Sequence, residues 1–192
     1  MRDMLKLFIV VALFSTVAGG LLAVVRDVTA SKIEYNKLQY VQGPTIVSIL
    51  EGCSNDPLAD NFNIPDGKEE RKFFIGEFNG KRNTIAFETF ATGFGGPIGV
   101  MIAVNLDNDE VVGIGVTTHS ETPGVGARAK TDPSFAAQFK GKSILNPFQV
   151  KADGGEIDAL SGATVTSRGV CSALMEASEI YKRLKPEIQK KL

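Results

Sequence analysis

The hydropathy pattern begins with an apolar run of nineteen residues, 7–25, that contains no charged side chain. At about 1.5 Å per residue, a helix of this length spans the roughly 30 Å of a bilayer's hydrocarbon core. The run therefore predicts one transmembrane helix. A secretory signal is the alternative, because Val28, Thr29 and Ala30 put small residues where cleavage occurs. The apolar part of such a signal typically has about 7 to 15 residues, however, so this run is long for one.

Alternating apolar positions predict two β-hairpins in the middle of the chain. Strands are expected at residues 72–78, 84–90, 98–106 and 111–118. The first pair flanks Asn79-Gly80, which is a strong signal for a two-residue hairpin turn. Asp107, Asn108 and Asp109 form the turn of the second hairpin. Together with helices before and after them, these hairpins predict an α+β domain in which helices pack on a twisted antiparallel sheet.

Helices are expected before and after these hairpins. Residues 30–41 extend the membrane helix as a stalk that ends near Gly43-Pro44, and residues 55–67 are rich enough in Asn, Asp, Pro and Gly to predict a loop. Asp132 and Pro133 predict the N-cap and first position of a short helix through Phe139.

The last helix has the clearest helical periodicity in the chain. Its apolar stripe, at spacings of three and four, consists of Val170, Ala173, Leu174, Ala177, Tyr181 and Leu184. We expect this helix to begin with Thr166 or Ser167 as N-cap and to end near Lys185, with Pro186 closing it. An anion held by the hydroxyls of Thr164, Thr166 or Ser167 would be stabilised by the unpaired N–H groups of the first turn. A turn followed by a cap, without any ligand, accounts for the same residues.

Composition and charge narrow the class of protein. The formal net charge is −1 and there is no long basic run, which argues against nucleic acid as a partner. We expect a transmembrane anchor at residues 1–28, a helical stalk at 29–45 and one domain at 46–192. A domain of that length is large enough to bury a hydrophobic core.

Residues 158–164 read Asp-Ala-Leu-Ser-Gly-Ala-Thr. The pattern Asp-x-x-Ser-Gly-Ala-Thr resembles the flavinylation signature of the FMN-binding domain family, in which a flavin transferase joins FMN to the last threonine through a phosphoester bond. The resemblance implies that Thr164 carries covalent FMN. It also implies that Asp158 serves recognition by the transferase more than later electron transfer.

Two further segments are similar to the same family. Residues 119–126 read His-Ser-Glu-Thr-Pro-Gly-Val-Gly, close to the family's His-x-Glu-Thr-Pro-Gly-Leu-Gly loop, with Val125 in place of leucine. Pro123 and Gly124 suit positions i+1 and i+2 of a type II turn. Residues 93–98 read Gly-Phe-Gly-Gly-Pro-Ile and resemble, more loosely, the segment that touches the flavin. The candidate FMN contacts implied in this way are Ser161, Gly162, Ala163, Thr166, Ser167, His119, Glu121, Thr122, Pro123, Gly124, Val125, Gly126 and Gly96.

Other reactive residues suggest no separate chemistry. His119 is the only histidine and lacks nearby partners for a metal site, so no metal is expected. Its role is either to orient the flavin or to cap the loop. Cys53 and Cys171 lack a Cys-x-x-Cys spacing. Cys171 is expected in the core, with a disulfide to Cys53 as the alternative. Glu121 either tunes the flavin electrostatically or is simply solvated.

The order of the anchor and the motifs resembles the arrangement found in the G subunits of Rnf complexes. These complexes are membrane ferredoxin:NAD oxidoreductases that couple electron flow to ion transport. The related C subunits of sodium-pumping NADH:quinone oxidoreductases are generally longer and are the alternative. The resemblance implies an electron relay through FMN, with partner subunits, a flavin transferase and membrane lipid as contacts, and a flavin domain on the outer, periplasmic face of the cytoplasmic membrane. Charge alone leaves the orientation open, since basic residues flank both ends of the run.

Two other classes of function remain as alternatives. One is a membrane-anchored regulatory flavoprotein, although the chain shows no output element. The other is a flavin-free binding domain in which residues 161–167 only cap a helix. In the membrane run, Ser15 and Gly19 either pack closely on a neighbouring helix or occur incidentally in a passive tether.

Overall fold

The computed structural model describes residues 1–67 and 69–192, which form two units, Met1–Tyr40 and Val41–Leu192. The first unit consists mainly of helix α1, Arg2–Lys37, none of whose residues is buried. Its length and apolar composition are sufficient to cross a membrane. The predicted N-terminal apolar helix is thus confirmed. The finer division into an anchor, a stalk and a domain stays a prediction.

The helical conformation does not end at Gly43-Pro44, so the prediction of a helix end there is wrong, while the bounds 29–45 of the stalk stay a prediction. A π-helical turn, Leu38–Gln42, is followed directly by α2, Gly43–Ile49, with Pro44 in the first turn of α2. Proline is tolerated there because the N–H groups of a first turn have no intrahelical acceptor. The buried side chains of Ile46 and Leu50 hold this segment against the sheet.

In the part of the chain that the structure describes, five antiparallel strands form one sheet in the order β1-β2-β3-β4-β5. Their bounds are Asn61–Asp66, Glu69–Phe78, Lys81–Thr92, Pro97–Asn105 and Glu110–Thr118. Asn79 and Gly80 have φ values of 54° and 75°, as a type I′ turn requires, so the first predicted hairpin is confirmed. The second is confirmed as well, with Asp109 in the left-handed region at φ 59°.

Strand β1 lies where the sequence predicted a loop, and that prediction is wrong. It pairs with β2 from Asn61↔Phe74 to Asp66↔Glu69. Pro65 is compatible with this position because β1 is an edge strand, where a missing N–H need not break a ladder. Ile64 is 1% exposed, so it gives β1 a buried apolar side chain, whereas Asn61 and Asn63 are polar.

The two faces of the sheet are covered by different helices. Helix α5, Thr164–Lys191, packs on β3 and β4 and closes the main core. Val100, Ile102 and Val104 face this core, whereas Met101 and Ala103 are buried outside it, and α2 packs on β4 and β5. Because both faces are covered, β4 is a nearly continuous apolar strand. The predicted α+β architecture is confirmed.

Helix α5 is longer at both ends than predicted. It begins at Thr164 with Ala163 as N-cap, so the N-cap expected at Thr166 or Ser167 is wrong. It also continues through Pro186 to Lys191. Burial explains the continuation, because Ile188, beyond the proline, is 0% exposed and packs in the core. The free energy gained by burying Ile188 offsets the loss of the backbone hydrogen bond that Pro186 cannot donate.

Shorter elements complete the second unit. Helices α3, Arg128–Thr131, and α4, Pro133–Ala137, follow β5, and Asp132 caps α4 as predicted by accepting the N–H of Ser134. Helix α4 ends two residues before Phe139, but the rings of Phe135 and Phe139 still pack at 5.5 Å. Cys53 and Cys171 are both free, and Cys171 is in the core.

Asp66 links the edge strand to α5. Its carboxylate accepts hydrogen bonds from Arg183, at 2.8 Å to each oxygen, and from Arg71 at 2.8 Å. The Arg71 guanidinium, together with Arg183, holds the pKa of Asp66 below its usual value, although burial acts in the opposite direction. The contact therefore stabilises the folded state only while the carboxylate is ionised.

We expect Asp66→Asn to lower the free energy of unfolding by about 1 kcal/mol at neutral pH, a modest loss because Arg183 reaches solvent. The lowered pKa makes this contribution complete above about pH 5, and it declines as the pH falls through about 4 towards the native pKa. Urea unfolding of the wild type and D66N across this range tests the expectation. A difference between the two that stays constant down to pH 2 would contradict it.

Candidate functional site

The candidate site is built around the first turn of α5. Gly162 has φ 76°, which reverses the chain before the helix, and Ala163 follows at φ −132°. The first intrahelical bond runs from the N–H of Ser167 to the carbonyl of Ala163 at 3.0 Å. The N–H groups of the three preceding residues therefore precede the hydrogen-bonded ladder and are available to an anion.

Three hydroxyl groups lie in this turn, and two of them are engaged by the protein itself. Ser167 Oγ accepts the N–H of Leu160 at 3.0 Å and donates to the carbonyl of Ala163 at 3.0 Å. Thr166 Oγ1 donates to Glu121 Oε2 at 2.6 Å. The half-buried Thr164 hydroxyl makes no hydrogen bond to any residue that the structure describes. Of these three hydroxyls, the one on Thr164 is therefore free to react or to bind a ligand.

A second wall comes from the loop after β5, residues 119–126. The N–H of Val125 donates to the carbonyl of Thr122 at 3.2 Å, and Gly124 has φ 73°, which agrees with the predicted type II turn. His119 Nδ1 accepts the N–H of Glu121 at 3.2 Å. This local cap is the contact that the structure gives His119. In the described part of the chain, no three His, Cys, Asp or Glu residues cluster as metal ligands do.

The carboxylate of Glu121 joins this loop to two other segments. The residue is 6% exposed, so the possibility of a merely solvated side chain is wrong. Its Oε1 accepts the N–H of Gly95 at 3.0 Å, and its Oε2 accepts the Thr166 hydroxyl at 2.6 Å. Glu121 therefore joins the segment 93–98 and its own loop, 119–126, to the first turn of α5.

The glycines around Glu121 leave the space that the carboxylate occupies. A Cβ atom at Gly93 would lie 2.2 Å from Oε1, and one at Gly126 would lie 2.5 Å from Oε2 and 2.8 Å from Thr166 Oγ1. At Gly95 the clash would be with the Ser120 carbonyl oxygen, at 2.0 Å. Such distances are well below any normal contact, so these positions require glycine for close packing.

A cavity of about 320 Å³ opens between these walls. Its lining residues are Phe94, Glu121, Thr122, Val125, Gly126, Gly162, Ala163, Thr164, Val165 and Thr166. The expected contacts that do not line it are Ser161, Ser167, His119, Pro123, Gly124 and Gly96. Phe94 and Val165 were not among the expected contacts, although Phe94 lies within the motif 93–98 and Val165 directly follows the motif 158–164.

The signal in the sequence that could have identified these two residues is their position within or next to the motifs. Phe94 is 72% exposed and Val165 is 45% exposed, a property that only the structure provides. A larger cavity of about 450 Å³ lies between α2, β5 and the α3–α4 segment. None of the motif residues lines it, so the chemistry described above belongs to the smaller cavity.

Asp158 lies outside the cavity. Its carboxylate forms an ion pair with Lys151 at 2.8 Å, and its side chain is 66% exposed. Its backbone N–H and carbonyl are both bound by the side chain of Gln138. The backbone of the motif is thus fixed while the carboxylate remains accessible from solvent.

The residues present fit FMN. The cavity volume is within the range of small-molecule sites, roughly 300–1,000 Å³. Its walls carry small residues and backbone N–H groups, and the free hydroxyl of Thr164 stands at a helix N-terminus, where a phosphate is stabilised. Phe94, Val125 and Val165 supply the apolar surface that a flat ring requires.

Comparison with known proteins agrees with this fit. The model of the FMN-binding domain family matches residues 93–179, which include all three motifs, so the fold and site define an FMN-binding domain. The G subunit of the ion-translocating oxidoreductase complex of Cereibacter sphaeroides is 29% identical over 188 residues, covering 94% of this chain and 85% of that protein. The G subunit of the proton-translocating ferredoxin:NAD(+) oxidoreductase complex of Clostridium ljungdahlii is 32% identical over 165 residues, covering 85% and 83%. The chain belongs to this family of G subunits.

Among solved structures, the chain is similar to the C subunit of a Na(+)-translocating NADH-quinone reductase from Parabacteroides distasonis. The identity is 28% and the TM-score is 0.49. The match covers 58% of this chain and 61% of that one, less than two thirds of its length.

We expect Gly126→Ala to lower the free energy of unfolding by about 1–3 kcal/mol, because the new methyl group displaces the Glu121 carboxylate or the Thr166 hydroxyl. Gly113→Ala is the matched control. Its Cβ would lie 3.4 Å from the nearest atom of Ile49, an ordinary contact, so we expect a change within about 1 kcal/mol. Urea unfolding followed by circular dichroism measures both. Equal stability of the two variants would mean that Glu121 does not occupy this space.

Proposed function

We propose that this chain is an electron-transfer subunit of a membrane ion-translocating oxidoreductase complex of the Rnf type, with FMN joined to Thr164 by a phosphoester bond. The observation that carries the proposal is the free hydroxyl of Thr164 at the N-terminus of α5 and at the cavity. Within the same turn, Thr166 and Ser167 are engaged in hydrogen bonds that hold the site together. Thr164 is thus the hydroxyl that can be esterified without dismantling the walls.

The phosphate of such an ester keeps one negative charge. At Thr164 that charge lies beside the N–H groups that precede the first intrahelical bond, where the helix dipole stabilises anions. The space around Gly162 is open, since even a Cβ there would meet only Val125, at 3.8 Å; the φ of 76° is what favours glycine at this position. The first turn of α5 is therefore suited to both attachment and charge.

Bound FMN supplies reversible electron transfer, which no amino-acid side chain of this site provides. The protein's contribution is to bind and position. The ester confines the flavin to this cavity, while Phe94, Val125 and Val165 cover apolar surface and reduce contact with water. A redox group held in this way exchanges electrons with fixed neighbours, so we propose a relay without independent turnover of a soluble substrate.

The relatives' names support a place within a larger assembly. One is named as the G subunit of an ion-translocating oxidoreductase complex, and the other as the G subunit of a proton-translocating ferredoxin:NAD(+) oxidoreductase complex. We propose that this chain assembles with the corresponding membrane and peripheral subunits. Residues 1–28 act as a single-pass anchor in contact with lipid, 29–45 as a stalk and 46–192 as the flavin domain on the periplasmic face. The corresponding component of a Na+-translocating NADH:quinone oxidoreductase is the alternative.

We expect Thr164→Val to abolish covalent flavin while the fold is preserved, because valine has nearly the same shape and no hydroxyl to esterify. The full chain is produced together with a flavin transferase, and in-gel fluorescence after denaturation and intact mass report the adduct. The wild type should carry the mass of one FMN less one water.

Two variants make the Thr164 experiment specific. Thr164→Ser restores a hydroxyl and should recover covalent flavin at least in part. Ser172→Ala removes an exposed hydroxyl from the same helix, outside the motif, and should leave the adduct intact. Covalent fluorescence in T164V equal to that of the wild type would refute the attachment site.

Asp158 is proposed as a recognition residue for the transferase. We expect Asp158→Asn to reduce the fraction of flavinylated protein severalfold without changing thermal stability, because the carboxylate is exposed and outside the cavity. Lys151→Met separates direct recognition from the ion pair. If the transferase reads the carboxylate itself, K151M stays flavinylated, whereas equal losses in both variants would show that only the ion pair matters.

A further inference from the structure

Glu121 is a buried carboxylate that forms no ion pair with any cationic side chain in the described part of the chain. Its two oxygens are bound by neutral donors, the N–H of Gly95 and the hydroxyl of Thr166. Buried charges in proteins are otherwise paired or bound to metals, because removal from water is costly. The unpaired charge at this position therefore requires an explanation.

Partial compensation comes from α5. Thr166 is in its first turn, so the carboxylate lies near the positive end of the helix dipole, equivalent to roughly half an elementary charge. Half a unit of positive charge offsets only part of the unit of negative charge that a carboxylate carries.

The structural role of Glu121 does not require its charge. A glutamine has almost the same shape, so its amide oxygen can accept the N–H of Gly95 while its NH₂ group donates to the oxygen of the Thr166 hydroxyl. The three segments would remain joined. Holding the site together thus accounts for the length and hydrogen-bonding capacity of the side chain, but not for a carboxylate in place of an amide.

We infer that the charge of Glu121 sets a negative electrostatic potential in the cavity and thereby makes FMN bound there harder to reduce. Of the ten described residues that line the cavity, Glu121 alone has an ionisable side chain. Each electron added beside a fixed negative charge meets Coulomb repulsion, which is stronger in a partly desolvated site than in water. The inference rests on the proposed function for the presence of FMN, but it concerns the reduction equilibrium and not the attachment.

The test is an equilibrium redox titration of the full-length flavinylated protein in detergent, comparing the wild type with Glu121→Gln. We expect E121Q to shift the reduction equilibrium at least about tenfold towards reduced flavin. A tenfold change corresponds to about 30 mV for a two-electron couple and about 59 mV for a one-electron couple.

Two matched variants separate charge from shape. Glu121→Asp keeps the charge but shortens the side chain, so it should lower thermal stability while the reduction potential stays near that of the wild type. Glu176→Gln removes the same unit of charge from an exposed position on α5 and should leave the potential unchanged. Circular dichroism and thermal melting report folding for each variant.

The inference is overturned if E121Q shifts the equilibrium less than about threefold, or if E121D shifts it as much as E121Q does. In-gel fluorescence of the same samples separates this outcome from failure of the proposed attachment. If neither variant nor wild type carries covalent flavin, the attachment is wrong. The titration is then made on protein refilled with free FMN, where the same comparison decides the role of the charge.

Discussion

The site depends on one buried carboxylate that reaches across the chain. Glu121 joins the glycine segment after β3, through Gly95, to the first turn of α5, through Thr166. Its partners are 26 and 45 residues away in sequence, so these hydrogen bonds form only when the sheet and α5 are correctly packed. The same contact explains why positions 93 and 126 are glycines, since any larger residue would place a side chain in the volume of the Glu121 carboxylate.

The rest of the fold holds α5 in place for this contact. Further along the helix, Arg183 binds Asp66 on the edge strand, while Tyr181 and Lys185 both donate to Asp109 in the β4–β5 turn. Burial and the hydrogen bond to Asp109 raise the pKa of the Tyr181 hydroxyl, which is the donor in this hydrogen bond. A helix fixed along its length presents its first turn at a constant position, which a covalent cofactor site requires.

The sequence predicted elements well where the signal was local. The hairpin turn at Asn79-Gly80 depends only on the tolerance of these residues for positive φ, and the cap at Asp132 depends only on its short carboxylate. Both predictions were confirmed. Predictions failed at prolines and asparagines whose local tendencies were outweighed by tertiary contacts. Helix α5 continues past Pro186 because the burial of Ile188 stabilises a further helical turn. Strand β1 forms despite its polar residues because Ile64 is buried and because β1 pairs with β2 along its length.

The sequence by itself determined the chemical groups of the site and the family to which they belong, because the three motifs are local strings whose residue types and order can be read directly. Only the tertiary structure decided which hydroxyl is free. Thr164, Thr166 and Ser167 are equivalent in composition, and they differ because Glu121 engages one and Leu160 and Ala163 engage another. The burial of Glu121 was likewise invisible in the sequence, since its exposure depends on surfaces contributed by remote segments that meet only after folding.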